Sequence, residues 1–457
     1  MLKRLMYRGY RRYSANRRWF RRRFTKAGII VVVGTVISAT LGADTNLSLS
    51  YQAFSLLSVM LIFSVAGIFI SRPRFSAQRV LPRFGSAGSL IQYRILLRNE
   101  TRRPQHGVSV IENLADPRPS LEDFLQTPEE GEEHRNAWDR AFGFYRWTWL
   151  ISKKLLGLPA EQPVPICAPR GVTDVAMEIM PLRRGVMRFE SLTVAIPDPL
   201  GLCRSLRGLP LPQSLLILPR RYFLPPLPLP GLMKYQQGGV ALASSVGESE
   251  EFVSLRDYRP GDPLRHLHWK SWAKTGKPIV KEFQEEFFVR HALILDTFSA
   301  RAHSDVFEEA VSVAASLACT IQTEESLLDL MFVGAQAFCF TAGRGLARTE
   351  QILEILASVE VCRERTFREL EDLVVQHAAG LSGCICVFID WDEARQEFVR
   401  HLQIMGLPLL IFVVVPAGGQ INPGPMFTDP ENFRVLEAGR IVETINGAGR
   451  ATSSTPK

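Results

Sequence analysis

The chain has 457 residues, 46% of them hydrophobic, with 7 cysteines and a formal net charge of +8 at pH 7. Met1–Lys26 holds 11 of the basic residues (Lys3, Arg4, Arg8, Arg11, Arg12, Arg17, Arg18, Arg21, Arg22, Arg23, Lys26) and no acid, so the remainder carries 8 − 11 = −3, which removes the case for a nucleic-acid-binding domain. An odd set of cysteines (Cys167, Cys203, Cys319, Cys339, Cys362, Cys384, Cys386), mostly within apolar patterns, argues against a disulfide framework and for reduced, buried thiols in a cytosol.

The first elements are two apolar segments flanked by arginines. From Ala27 to Ser71 the sole charged side chain is Asp44. Ala27–Ala43 is rich in Val and Ile, Asp44-Thr45-Asn46 is a polar break, and Tyr51–Ile70 has the ~20 residues that span a bilayer. The expectation is a basic cytoplasmic arm (1–26) and two transmembrane helices (27–71) in a bacterial inner (plasma) membrane. Lys and Arg flank both ends, so the N-terminus and everything after Arg72 should be cytoplasmic and Asp44–Ser50 outside. Trp19, Phe20 and Phe24 suit the headgroup zone, and the arm should attract anionic lipid. A cleaved signal peptide competes, but the arm is far longer than a usual basic n-region and a second apolar run follows at once.

Alternating runs follow at Leu90–Leu97, Gly107–Glu112, Val175–Pro181 and Gly185–Ile196, which predict an antiparallel β-sandwich over 72–220. It is interrupted at 116–162 by an acidic loop (Glu129, Glu130, Glu132, Glu133) and an aromatic cluster (Trp138, Phe142, Phe144, Tyr145, Trp147, Trp149). This insertion either packs on the sandwich edge or forms a flap facing membrane or partner. Gly208–Gly239 is proline-rich and reads as extended chain without a ladder of its own, with the domain linker proper at 221–246.

From Val289 buried strands and helices alternate. Strands are expected at Val289–Leu295, Leu327–Val333, Ala337–Thr341, Cys384–Ile389, Leu407–Val415 and Phe433–Glu443, with helices at Ser304–Gln322, Thr349–Ser358, Phe367–Ala378 and Trp391–Met405. The pattern predicts a doubly wound α/β sheet over 289–446, whose ligands would sit beyond the strand carboxyl ends, where Asp296 and Asp390 fall. Cys384 and Cys386 share one strand face and read as packing rather than metal or redox chemistry. Residues 447–457 read as a disordered tail.

Between linker and sheet, 247–288 holds the densest polar and aromatic segment, with a turn at Arg259-Pro260-Gly261-Asp262. From the residues alone it is an ion-paired clasp or a site. Glu251-Phe252, Leu255-Arg256, Tyr258, Gly261-Asp262, Arg265 and His268-Trp269-Lys270 match the spacing of an E-F-x-x-L-R-x-Y-x-x-G-D-x-x-R-x-I-H-W-K pattern, with Leu267 for the usual Ile. This block resembles the hallmark of the domain of unknown function 58 family. Arg183-Arg184-Gly185-Val186 and Asp198-Pro199-Leu200-Gly201-Leu202 resemble that family's R-R-G and D-P-F-G-L segments. The resemblance implies an α+β multidomain protein: a transmembrane helical hairpin, the sandwich, then a von Willebrand factor A-like domain. It also implies a non-enzymatic assembly or maturation role with a MoxR-type AAA+ ATPase, and von Willebrand A or transglutaminase-like proteins as further partners.

Metal-binding domains of that type use D-x-S-x-S, with Thr and Asp from later loops, to hold Mg²⁺. Here Asp296-Thr297-Phe298-Ser299-Ala300 keeps the Asp but loses both serines at their positions, leaving Asp296 and Asp390 as a degenerate pair. No cofactor is expected, and helix capping by either Asp is the competing structural reading. The rival functional reading is a metal-dependent or acid/base enzyme using Asp257, Asp262 and His268, with His266 and His268 on one side of a strand. No H-E-x-x-H, G-x-S-x-G or G-x-x-x-x-G-K-[ST] supports it. An extracytoplasmic adhesin would need the opposite topology.

Overall fold

The structure, a computed structural model, describes residues 2–41, 48–70, 73–129, 131–224, 252–260, 264, 267–283, 289–301, 304–321, 326–343, 346–419 and 421–447. The polar break at Asp44–Asn46, the linker beyond Leu224 and the tail beyond Gly447 lie outside them. The chain divides into two units, Met1–Arg221 with Leu353–Ser358, and Tyr222–Ile352 with Val359–Lys457.

In the first unit the basic arm is itself a helix, α1 (Leu2–Arg23). Thr25 caps α2 (Lys26–Leu41), its Oγ1 accepting from Gly28 N at 3.0 Å. α3 spans Ser48–Ile70, and its stretch Leu49–Ile68 is long and apolar enough to cross a membrane; at 16 residues α2 is shorter. The two pack closely, since a Cβ on Gly34 would lie 3.3 Å from Leu57 Cδ1.

Two sheets follow. β1 (Phe75–Val80), β3 (Ile91–Asn99), β7 (Val172–Pro181) and β5 (Gly157–Pro159) make one, in the order β1-β3-β7-β5. β2 (Phe84–Ser86), β9 (Arg204–Leu218), β8 (Gly185–Pro197), β4 (Ser109–Leu114) and β6 (Gln162–Pro163) make the other, in the order β2-β9-β8-β4-β6. Alternate residues of both (Ile95 and Leu97 of β3, Val175 and Met177 of β7, Leu192 and Val194 of β8, Ile217 of β9) enter one core. That shared core also holds a charge pair. Arg79 Nε and Nη2 donate to the two oxygens of Glu112 at 2.9 and 2.7 Å, and the guanidinium lies 4.6 Å from the Phe189 ring centroid.

One expectation fails at β9. The stretch from Gly208 reads as ladderless, yet Arg204–Leu218 is the longest strand among the described residues and pairs with β8 from Arg204 to Ile217. Its prolines are tolerated because β2 covers β9 only at Leu216–Leu218, which leaves the other flank of Pro210 and Pro212 open.

The aromatic insertion packs neither on the sheet edge alone nor as a free flap. It forms α4 (Leu121–Gln126), α5 (Ala137–Phe142) and α6 (Phe144–Lys154), and receives α1. Tyr7 sits 5.9 Å from the Phe124 ring and 5.6 Å from that of Trp147, and donates its hydroxyl to Pro119 O. Inside the insertion Glu132, read as part of an acidic loop, is buried against Arg146 at 2.5 Å.

From Val289 onward β12 (Val289–Leu295), α8 (Asp305–Thr320), β13 (Ser326–Val333), β14 (Ala337–Ala342), α9 (Leu346–Ser358), α10 (Arg368–His377), β15 (Gly383–Phe388), α11 (Glu393–Ile404), β16 (Leu409–Val415) and β17 (Phe433–Glu437) follow the expected alternation, all in the second unit but for the end of α9 from Leu353. The sheet order is β14-β13-β12-β15-β16-β17, parallel except for β14. Ala292, Ile294, Cys384, Cys386, Ile411 and Val413 face the core shared with α10 and α11, and the intervening Leu293, Ile385 and Phe412 are also buried. Burial on both faces is why these strands are continuous apolar runs. The last strand was expected to reach Glu443. Gly439, at φ 85°, breaks it, and α12 (Ile441–Gly447) follows.

Candidate functional site

The signature segment folds as a hairpin around a short helix. β10 (Phe252–Asp257) pairs antiparallel with β11 (Ile279–Phe283), Arg256 opposite Val280 and Asp257 opposite Ile279. Leu267 bridges to Val280, and both are buried. The chain then turns into α7 (Trp269–Thr275), closed by Gly276 at φ 70°, a left-handed position that suits glycine.

His268 is the N-cap of α7 rather than part of a strand: its backbone N–H donates to Ile279 O at 2.8 Å and its Nδ1 lies 2.7 Å from Ser271 Oγ. Asp257 is exposed at the end of β10. Glu251, Gly261, Asp262, Arg265 and His266 lie outside the described residues, as do the side chains of Phe252 and its neighbours. Among the described residues no group of three His, Cys, Asp or Glu gathers to hold a metal. Besides Asp257, the described part of the block exposes apolar, aromatic and basic side chains. Leu264 is 67% exposed, Trp269 64% and Leu255 40%, Lys270 is exposed, and Trp269 stacks on Trp272 with centroids 5.3 Å apart. Tyr258 N donates to Pro278 O at 3.0 Å, so that residue braces the hairpin.

Asp296 ends β12 beside β15, where strand order reverses, the customary ligand position in such sheets. Its carboxylate is paired from within the protein. Arg395 of α11 donates from Nε to Asp296 Oδ2 at 3.1 Å and from Nη2 to Oδ1 at 3.3 Å. Phe298 N and Ile389 N donate to the same carboxylate at 3.0 and 3.3 Å. Arg395 also meets Asp392 Oδ2 at 2.6 Å and lies 4.6 Å from the Phe367 ring centroid. Burial raises the Asp296 pKa against the opposing pull of Arg395. Burial works against the Arg395 charge too, but Asp296 and Asp392 outweigh it and raise its pKa.

Asp390 is exposed, accepts from Trp391 N and does not approach this pair; Asp392, not Asp390 or Asp296, caps α11. Mg²⁺ does not fit these donors: a fixed guanidinium stands where the cation would, and the hydroxyls are missing. Cys384 and Cys386 are buried in the core, as packing requires.

A third place was not anticipated as a site. The turn Asp198–Leu202 is tied by Asp198, whose carboxylate accepts from Cys203 N at 2.7 Å and Leu200 N at 3.2 Å, with Gly201 at φ 68°. It meets the feet of the apolar helices. Thr25 Oγ1 donates to Gly201 O at 2.8 Å, a Cβ on Gly28 would lie 2.0 Å from Leu202 O, and one on Gly67 2.7 Å from Pro199 Cδ. The signal available in sequence was the pair of glycines inside otherwise bulky apolar helices.

Comparisons with known proteins bear on these parts unevenly. Among curated proteins, the chain is 29% identical over 185 residues to the uncharacterized protein YeaD of Bacillus subtilis strain 168. That alignment covers 40% of this chain and 45% of the relative, so the chain spans less than half of that protein's length. Among solved structures, a CARDB domain from Pyrococcus furiosus in complex with di-metal ions aligns over 32% of this chain and 89% of its own, at 8% identity and a TM-score of 0.18. A cohesin module from a Clostridium perfringens family 33 glycoside hydrolase aligns over 32% and 98%, at 9% identity and a TM-score of 0.16. Scores this low carry no argument. The family model described as protein of unknown function DUF58 matches residues 254–379, from β10 through α10, and to that extent the chain is similar to that family.

Proposed function

We propose that this protein is a membrane-anchored, non-enzymatic interaction protein that acts with a MoxR-type AAA+ ATPase in the assembly or maturation of other proteins. In this reading α2 and α3 form a two-pass anchor in a bacterial inner membrane, the two-sheet body is a β-sandwich, and the six-stranded sheet is a von Willebrand A-like domain, all soluble parts being cytoplasmic. The observation that carries it is the face of the signature block. A two-thirds-exposed Trp269 stacked on Trp272, with exposed Leu264 and Lys270 in the same block, has the composition of an interface anchor rather than of a reaction centre. The internal Asp296–Arg395 pair supports the same conclusion, because it sets a fixed guanidinium on the carboxylate that a metal would need.

The test is affinity capture of the full-length protein from its own cells in mild detergent, with and without ATP. An AAA+ ATPase is expected in at least one sample and is lost with Trp269→Ala plus Lys270→Ala. Capture of no ATPase in either sample contradicts the partnership. Undiminished capture by the variant removes the role given to this face.

A further inference from the structure

α1 carries a second basic feature that anchoring does not use. Arg4, Arg8, Arg11 and Arg12 fall at positions i, i+4, i+7 and i+8, on one face of the helix. With Tyr7 and with Arg118 from the start of the insertion they line a groove of about 470 Å³. Arg118 is held in place: its Nε donates to Asp116 Oδ2 at 2.7 Å and its Nη1 to Arg11 O at 3.5 Å. Asp116 thus offsets one of the five charges. Among the described residues the guanidinium groups of Arg4, Arg8, Arg11 and Arg12 make no ion pair, and all four are exposed. Like charges one helical turn apart repel, so the free helix is destabilised by this arrangement and gains from it only when an anion enters.

Position separates the sources of that anion. The apolar helices meet the turn at Asp198–Leu202, whereas the insertion leaves the body at the other end of β8, where Ala115 N donates to Arg188 O at 3.0 Å. Ten residues separate Arg188 from Asp198, about 30 Å of extended strand. Arg118 lies just past Ala115, so the groove sits toward the end of the body remote from the apolar helices, away from a headgroup layer. Its volume suits a small molecule rather than a nucleic-acid backbone track. No aromatic ring is free to stack a base, because Tyr7, the aromatic in its wall, is buried against Phe124 and Trp147.

We infer that this groove binds a small, soluble anion bearing phosphate groups, which Arg4, Arg8 and Arg12 contact from one helix and Arg118 from across the cleft. Arginine's planar fork matches phosphate oxygens, and binding would weaken as salt rises. Occupancy would tie α1 to the insertion and so make the arm's docking responsive to a metabolite.

The experiment is titration calorimetry on the full-length protein in mild detergent, using inorganic diphosphate as the probe, with phosphatidylglycerol and phosphatidylcholine in parallel. Saturable one-site diphosphate binding is expected. It should be at least about ten-fold weaker in Arg4→Gln/Arg8→Gln/Arg12→Gln and weaker in Arg118→Gln, on a separate element, with Arg17→Gln/Arg21→Gln unchanged. Circular dichroism confirms that each variant keeps its helix content. Absent diphosphate binding, or equal affinity in wild type and both groove variants, overturns the proposal. So does equal weakening in the Arg17/Arg21 control, which would mean diffuse attraction. Groove-dependent binding of phosphatidylglycerol without diphosphate binding would assign the phosphate to a lipid and overturn the soluble source.

Discussion

Arg395 decides what the sheet crevice can do. An aspartate at the end of the first strand invites a cation, and this chain supplies its own, fixed to α11 and clamped on both carboxylate oxygens. Arg395→Met leaves the fully buried Asp296 unpaired and is expected to lower stability by about 3–5 kcal/mol in denaturant titrations. Asp296→Leu with Arg395→Met should recover most of that loss, and Mg²⁺ should not shift the melting temperature of the wild type. Thiol reactivity belongs to the same scale. Five cysteines are buried, Cys339 is half-buried with its thiol pushed up to about 11 by burial, and Cys319 alone is exposed. One rapidly reacting thiol of the seven is expected in a native thiol-reagent assay, and Cys319→Ser should abolish it. The aspartate was legible in the sequence because it follows a continuous apolar strand. The arginine was not, because its partner lies 99 residues away and nothing local marks it.

At the scale of elements, close approach explains the two glycines under the Asp198–Leu202 turn. Gly28→Val would drive a side chain into the Leu202 carbonyl and is expected to destabilise by at least about 1–3 kcal/mol. Gly34→Ala meets only a flexible Leu57 methyl and should cost less; thermal melting in detergent compares the two. The insertion has its own acid response. Hydrogen bonding from Lys154 holds the Asp123 carboxyl at about 2 instead of its usual 3.8. A depressed folded-state pKa gives stability that is present above the unfolded value and lost as pH falls through the folded one. Loosening of α4 from α6, followed by Trp147 fluorescence, is therefore expected between about pH 4 and 2, worth under about 1 kcal/mol at this exposed pair, and smaller in Lys154→Ala, where the bonds from Ser120 remain.

Strands β12, β15 and β16 were legible because burial on both faces leaves an unbroken apolar signature. β9 was hidden by prolines that an open flank permits, and α1 by a run of arginines that reads as solvated chain until Tyr7 and Tyr10 find the insertion's aromatic rings. In the signature block, spacing gave the resemblance but not the geometry. The His268-Trp269-Lys270 run reads equally well as a strand end, and only the backbone of Ile279 and the Gly276 turn make it a helix start.

At the scale of the whole molecule, charge and apolarity are segregated: a basic helix first, one helix among the described residues able to cross a membrane, and a net charge of 8 − 11 = −3 over everything after Lys26. The proposed function uses this arrangement to bring an exposed tryptophan face to a partner at a membrane surface. The most direct test puts a photo-crosslinking amino acid at position 269 of the full-length protein in its own cells, with position 405 as an exposed control. The expected result is an adduct with an AAA+ ATPase at 269 that is absent at 405. A protein that crosslinks at 269 only to unrelated proteins, or to none while remaining folded and expressed, would contradict the account.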